Sequence, residues 1–203
     1  VEGLKSVNEI IKSEWMVETI LCTTAFLDKH GNDLPFNFEL IESKTFNKIS
    51  TLQNPQEILA IAHIERPNVK KSEWSIALDG INDPGNLGTI IRIADWYGIS
   101  TIYCSRNSVD VYNPKVIQAT MGSFLRVEVV ETDLTTALQN KKVYATLLEG
   151  ENIRKLNNTE KGGIILIGNE ANGISKEVLN TISYVPVTIP KIGHAESLNA
   201  GIA

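Results

Sequence analysis

Several things are scarce in this chain, and each scarcity closes off a class of protein. Cysteine occurs twice, at Cys22 and Cys104, at no spacing that a zinc site or local disulfide uses. A reducing cytoplasm is therefore the expected setting. No apolar run reaches the ~18 residues that mark a membrane-spanning helix. The opening stretch Val1-Glu2-Gly3-Leu4-Lys5 lacks the basic and then apolar blocks of a signal peptide. Basic excess is missing too: 19 Lys and Arg face 24 Asp and Glu, for a formal net charge of −5. That balance argues against coating nucleic acid by bulk charge, although it allows a local basic surface.

Familiar motifs are absent as well. No Gly-x-Gly-x-x-Gly follows the first strand of a helix-strand alternation, and no Gly-x-x-x-x-Gly-Lys occurs, so dinucleotide and P-loop binding lack support. No Gly-x-Ser-x-Gly nucleophile elbow exists. His30, His63 and His194 have no metal-ligand spacing, and no metal is expected. The stretch 118–126 lacks the aromatic pairs of a base-stacking platform.

What is present is 203 residues, 42% of them hydrophobic, which is ample for a packed core. A polar, proline-bearing stretch, Arg66-Pro67-Asn68-Val69-Lys70-Lys71-Ser72, separates two apolar parts. This predicts a domain over 1–66, a linker over 67–73 and a second domain over 74–203. The first part reads as a small α/β unit, with helices over 4–12 and 44–49 and strands over 17–27, 39–41 and 57–64. The second alternates more regularly. Strands are expected over 75–81, 101–104, 125–130, 143–148, 164–167 and 184–189, and helices over 87–97, 115–119, 134–140 and 176–181. Such alternation implies a mostly parallel sheet covered on both faces, with ligands at the loops beyond its carboxyl edge.

Three of those loops carry unusual residues. The first, Asp83-Pro84-Gly85-Asn86-Leu87-Gly88, turns from a strand into a helix that bears Arg92 among aliphatic neighbours. Asn86 reads either as the helix N-cap or as a site residue. Arg92 reads as a phosphate or hydroxyl grip, or as the partner of Asp95 or Asp79. The second, Gly168-Asn169-Glu170-Ala171-Asn172-Gly173, places a carboxylate between two glycines; Glu170 is a site residue or the cap of the next helix. The third, Ile189-Pro190-Lys191-Ile192-Gly193 and Ser197-Leu198-Asn199, ends a strand and offers polar side chains for a substrate hydroxyl or for free helix amides.

In this order and at these separations, 84 positions from Asn86 to Glu170 and 29 from Glu170 to Asn199, the three loops resemble the SpoU (TrmH) family of RNA 2′-O-ribose methyltransferases of the SPOUT class. Asp110-Val111-Tyr112-Asn113-Pro114-Lys115 and Met121-Gly122-Ser123 resemble the family's intervening segment. Residues 1–66 more loosely resemble its small substrate-binding domain, notably at Glu2-Gly3 and Asn54–Leu59. The resemblance implies a parallel α/β domain with a C-terminal trefoil knot holding S-adenosylmethionine, a homodimer, and methyl transfer to a ribose 2′-hydroxyl of structured RNA in the cytoplasm. Ribosomal RNA is favoured over transfer RNA, because an added N-terminal α/β domain is similar to that branch. By the same resemblance Arg92, Asn86, Glu170, Ser197 and Asn199 are the catalytic positions. Thr146, Leu147, Gly150, Gly168, Asn169, Ile189, Ser197 and Leu198 form the cofactor pocket.

The chain departs from the family at Gln118 and Thr120, where Arg and Ser are frequent, at Lys191, where Met is frequent, and at Ala200-Gly201, where Val-Ser is usual. The domain is expected to stop before its last helix is complete. Because arginine stays protonated, Arg92 is read as a group that fixes the target nucleotide rather than as a base. Alternatives are a non-catalytic RNA-binding or ribosome-assembly protein that retains the fold, and an unrelated doubly wound enzyme.

Overall fold

The computed structural model describes residues 1–31, 34–156, 162–194 and 198–202. It divides into two compact units, Val1–Pro67 and Asn68–Ala203.

In the first unit, α1 (Leu4–Ile11) turns Val7 and Ile10 inward at helical spacing. Next come β1 (Val17–Cys22), α2 (Thr24–His30), β2 (Glu39–Leu40), α3 (Ser43–Ile49) and β3 (Ile58–Ala62). β1 lies between β2, parallel to it, and β3, antiparallel to it. The chain start runs along β3, with Ala60 N–H donating to the Val1 carbonyl (2.8 Å) and Gly3 N–H to the Ile58 carbonyl (2.9 Å). Ile20, Cys22, Ile58 and Ala60 share one sheet face and are buried, as alternation requires. The strand expected over 17–27 is broken at Thr23. Its hydroxyl accepts from Phe26 N–H (3.2 Å) and starts α2, so local capping overrides the β-branched run.

The second unit begins with β4 (Trp74–Asp79), α4 (Pro84–Trp96), β5 (Thr101–Ser105), α5 (Pro114–Thr120) and β6 (Glu128–Thr132). It continues with α6 (Leu134–Ala137), β7 (Val143–Asn152), β8 (Gly163–Gly168), α7 (Lys176–Thr181) and β9 (Val185–Thr188). The six strands form one fully parallel sheet in the order β6-β5-β4-β8-β7-β9. Both faces are covered. Ile76 and Leu78 of β4 join Leu87 and Ile91 of α4 and Val116 of α5, while Ala77 joins Leu138, Leu166 and Val178 on the opposite side. Each fully buried aliphatic side chain is worth about 1.5–3 kcal/mol.

α4 and α5 touch closely at Gly88, where a Cβ would overlap Ala119 Cβ and crowd the Val116 carbonyl. The strand expected over 125–130 starts later, at Glu128. Residues Ser123–Leu125 form a 3₁₀ turn after Met121 and Gly122, both in the left-handed region. The helix expected over 134–140 shrinks to Leu134–Ala137, and Asn140 takes a φ of 56°.

From β4 the chain steps outward to β5 and β6, then returns on the other side through β7, β8 and β9. The crevice between the carboxyl ends of β4 and β8, paired through Asp79 and Gly168, is therefore where two outgoing loops diverge.

Candidate active site

Asp83, not Asn86, caps α4. Its Oδ1 accepts from Asn86 N–H at 2.8 Å, and Pro84 sits in the first turn, where its missing N–H costs nothing. Freed from capping, the Asn86 side chain, 7% exposed, points into the crevice. Its Nδ2 donates to Glu170 Oε1 at 2.6 Å, and its Oδ1 accepts from Asn199 Nδ2 at 2.8 Å. Asn199 Oδ1 in turn accepts from Gly201 N–H at 2.9 Å. Three loops distant in sequence are thereby joined by one chain of hydrogen bonds. Glu170 does not cap α7; Ser175 does, through a bond from Val178 N–H (3.4 Å).

Arg92 lies outside that chain, on the exposed side of α4. Neither proposed partner takes it: Asp95 pairs with Arg126 (3.0 Å), and Asp79 Oδ2 accepts from Ser175 N–H (2.7 Å). The guanidinium lines a depression of about 640 Å³ with Thr89, Ile93, Trp96, Tyr97 and Ser123. Thr89 also meets the C-terminal segment, since a Cβ at Gly201 would stand 3.2 Å from it. Ser197 lies outside the described residues.

The remaining sequence-nominated positions lie on β7, at the end of β8 and in the segments that follow β8 and β9. Thr146 and Glu151 of β7 both pair with Val187 of β9, so residues 147–150 form an irregular excursion from the β7–β9 register. Gly150 lies flat on β9: a Cβ there would come within 2.8 Å of Pro186 and Val187 backbone. Thr188 Oγ1 donates to the Leu148 carbonyl (3.1 Å), bringing Ile189 beside the excursion. Thr146 Oγ1 donates to the Leu166 carbonyl (3.0 Å). Gly168 packs so tightly on Gly173 and Ile174 that a Cβ would overlap their backbone.

These features suit S-adenosylmethionine. Backbone groups of the excursion could read an adenine edge, Leu148, Ile189 and Leu198 are exposed apolar side chains, and Glu170 is a carboxylate that could face a cationic ligand. Among the described residues no cluster of His, Cys, Asp or Glu is placed to hold a metal. Cys104, buried below the β5 end, is no nucleophile, because burial and then Glu131 push its thiol up to about 12.

Sequence reasoning did not single out Asp83 as the cap, the Asp79–Ser175 bond, the ladder excursion or the exposed pair Trp96 and Tyr97. The Asp-Pro-Gly order carried a cap signal. The other three depend on which strands become neighbours.

The chain matches the SpoU rRNA Methylase family over residues 73–203 and the MRM3-like substrate binding domain over residues 1–60. It is 28% identical over 215 residues to a Bacillus subtilis 23S rRNA (guanosine(2553)-2′-O)-methyltransferase, RlmP, covering 100% of this chain and 84% of that protein. A TrmH-family protein from Porphyromonas gingivalis superposes with a TM-score of 0.81 at 33% identity, over 100% of this chain and 84% of the other. An AdoMet-bound rRNA methyltransferase from Sinorhizobium meliloti superposes with a TM-score of 0.76 at 28% identity, over 100% and 82%. With a parallel sheet, three converging loops and a family match across most of its length, the chain belongs to the SpoU family of RNA methyltransferases.

Proposed function

We propose that this protein transfers a methyl group from S-adenosylmethionine to a ribose 2′-hydroxyl of structured RNA, with ribosomal RNA favoured over transfer RNA. The observation that carries the reading is the hydrogen-bonded chain Glu170–Asn86–Asn199, which assembles one polar centre at the carboxyl edge of the sheet. Similarity to RlmP and to the AdoMet-bound Sinorhizobium enzyme supports both the cofactor and the RNA class.

The cofactor, when bound, supplies an electrophilic methyl on sulfur. Thr146, Leu147, Gly150, Gly168, Ile189 and Leu198, with the main chain of Asn169 and, by resemblance, Ser197, would hold it. This chain's part is alignment. Arg92 grips the target phosphate and hydroxyl as a permanent cation. Asn86 and Asn199 hold Glu170 in place, and its carboxylate balances positive charge at the reacting centre. A trefoil knot fits the same reading, since the Asn199–Asn86 bond returns the segment after β9 to the start of α4.

The reading extends to assembly. Residues 1–66 serve as the RNA-binding domain, 67–73 as linker and 74–203 as the transfer domain. Ile93, Trp96 (84% exposed) and Tyr97 (74% exposed) form an aromatic face beside Arg92, and a second copy covers it in a homodimer. RNA modification of this kind belongs in the cytoplasm; no helix among the described residues is long and apolar enough to cross a membrane.

The test combines calorimetry with S-adenosylhomocysteine, transfer of labelled methyl to total RNA, and mapping of ribose methylation in a deletion strain and its complemented control. Binding with transfer to one ribosomal position is expected. Binding without transfer to any RNA would make the chain a non-catalytic RNA-binding member of the family.

A further inference from the structure

Asn169 is adjacent to Glu170, and the protein itself takes both ends of its side chain. Its Oδ1 accepts from Ala171 N–H and Asn172 N–H, both at 3.0 Å. Its Nδ2 crosses the crevice and donates to the Gly80 carbonyl at 2.7 Å. Gly80 is itself held: its N–H donates to Ser105 Oγ at 2.8 Å, and its φ of 72° lies in the left-handed region. One residue earlier, the buried carboxylate of Asp79 takes Ser175 N–H at the far end of the same loop. Two crossings, Asn169 to Gly80 and Ser175 to Asp79, thus clamp the β8 loop against the β4 loop on either side of Glu170.

We infer that Asn169 is a positioning residue that sets Glu170 against Asn86 by tying the β8 loop to the Gly80 carbonyl. This inference rests on the methyl-transfer reading of the same site. Its basis is geometric. Backbone bonds Asn169–Gly173 in both directions shape the loop internally, at 3.0 and 2.9 Å, and need no side chain. The amide instead supplies the cross-loop tie on the Glu170 side of the loop, leaving only the Ser175–Asp79 crossing at its far end to frame the 2.6 Å bond from Asn86 to Glu170 when it is removed. Removing the tie also leaves a carbonyl unsatisfied at a partly buried position.

The chemistry of the amide yields a test that mere loss of structure would not imitate. Asn169→Asp keeps shape and the two accepted bonds, but sets a carboxylate oxygen against the Gly80 carbonyl. A protonated carboxyl can donate there; an ionised one cannot. The charged groups on the elements that meet here are Glu170 (Oε2 3.4 Å from Nδ2), Lys176 and Glu177 on the β8 side, Asp79 and Asp83 on the β4 side, and Arg106 beyond β5. The Glu170 carboxylate and the Gly80 carbonyl favour the protonated form at the oxygen that replaces Nδ2, whereas the N–H groups of Ala171 and Asn172 favour the ionised form at Oδ1, so the cross-loop donor is lost wherever the introduced carboxyl is ionised.

The experiment uses the full chain, with labelled-methyl transfer to RNA followed from pH 5 to 9 relative to wild type. Asn169→Ala should lower kcat about 10- to 100-fold at every pH, as expected for an ångström-scale misplacement. Its KM for RNA should stay within about threefold, since no RNA contact is removed. Asn169→Asp should match that loss at every pH where its carboxyl is ionised and cannot donate to Gly80, with carbon-13 NMR titration locating that protonation independently of activity. Wild-type-like kcat in Asn169→Ala, or in Asn169→Asp while its carboxyl is ionised, would overturn the role. Exchange of the Asn169 side-chain amide protons in the wild type gives a second readout free of activity: slow exchange is expected, and fast exchange overturns the tie. Absence of methyl transfer by the wild type, with slow exchange of those protons, would sink the function and leave the tie standing.

Discussion

At the scale of single residues, the site separates a polar centre from a cation that stands apart. Asn86 and Asn199 spend both ends of their amides on other protein groups, whereas the Arg92 guanidinium takes no hydrogen-bond partner among the described residues. Arg92→Ala should cut kcat by about two orders of magnitude, the scale expected when a positioning group is lost. S-adenosylhomocysteine affinity should be unchanged. Near-normal methylation would refute the role.

Gly168→Ala makes the opposite prediction. A methyl group there overlaps the Gly173 and Ile174 backbone, so the loop must open, and calorimetry should register loss of cofactor binding. Cys104 sets a pH limit. Its proton leaves near 9.0 in the unfolded chain and near 12 when folded, so folding favours the thiol form. That stabilisation is whole below pH 9 and drains away as pH climbs toward 12. Denaturant midpoints measured across this range should fall, and Cys104→Ser should flatten the decline.

At the scale of elements, contact between α4 and α5 is bought with a missing side chain. Gly88→Ala should drive the helices apart at Ala119 and cost about 1–3 kcal/mol despite alanine's better helix propensity, a loss visible in thermal melts. Element legibility followed locality. The bodies of α4 and β4 could be read from aliphatic runs and periodicity, because those signals lie within a few residues, although the expected helix began at 87 and the Asp83 cap starts it at Pro84. The end of β1 could not be read: 17–27 is rich in apolar and β-branched residues on both sides of the break, and one hydroxyl bond at Thr23 decides where strand becomes helix. The excursion of residues 147–150 was equally hidden, since it exists only relative to Val187, far along the chain.

At the scale of the whole molecule, net charge and the aromatic face make separate predictions. A chain at −5, with its cations outnumbered by acidic groups, should bind RNA with a modest salt slope; a steep slope would mean many phosphate contacts and contradict the reading. Trp96→Arg should shift sedimentation from dimer toward monomer and reduce transfer with it, because a charge replaces the centre of the apolar face. The nomination of Asn86, Glu170 and Asn199 came from motif order, and the structure joins those three by hydrogen bonds. That Asn169 serves its neighbouring loop was not readable, because its partner is the Gly80 carbonyl, a backbone atom that no side-chain pattern announces.

The bonds from Asn86 span 84 positions to Glu170 and 113 to Asn199. Translation delivers these partners in turn, and domains tend to organise from the amino end as they emerge. Through most of synthesis β4 therefore has its β5 neighbour but lacks β8, and Asn86 waits beside an empty lane in the sheet. The polar centre closes only once the segment carrying Asn199 has emerged. Assembly of the site thus follows the order of its three loops along the chain, with the Asn86–Asn199 bond as the last of these contacts to form.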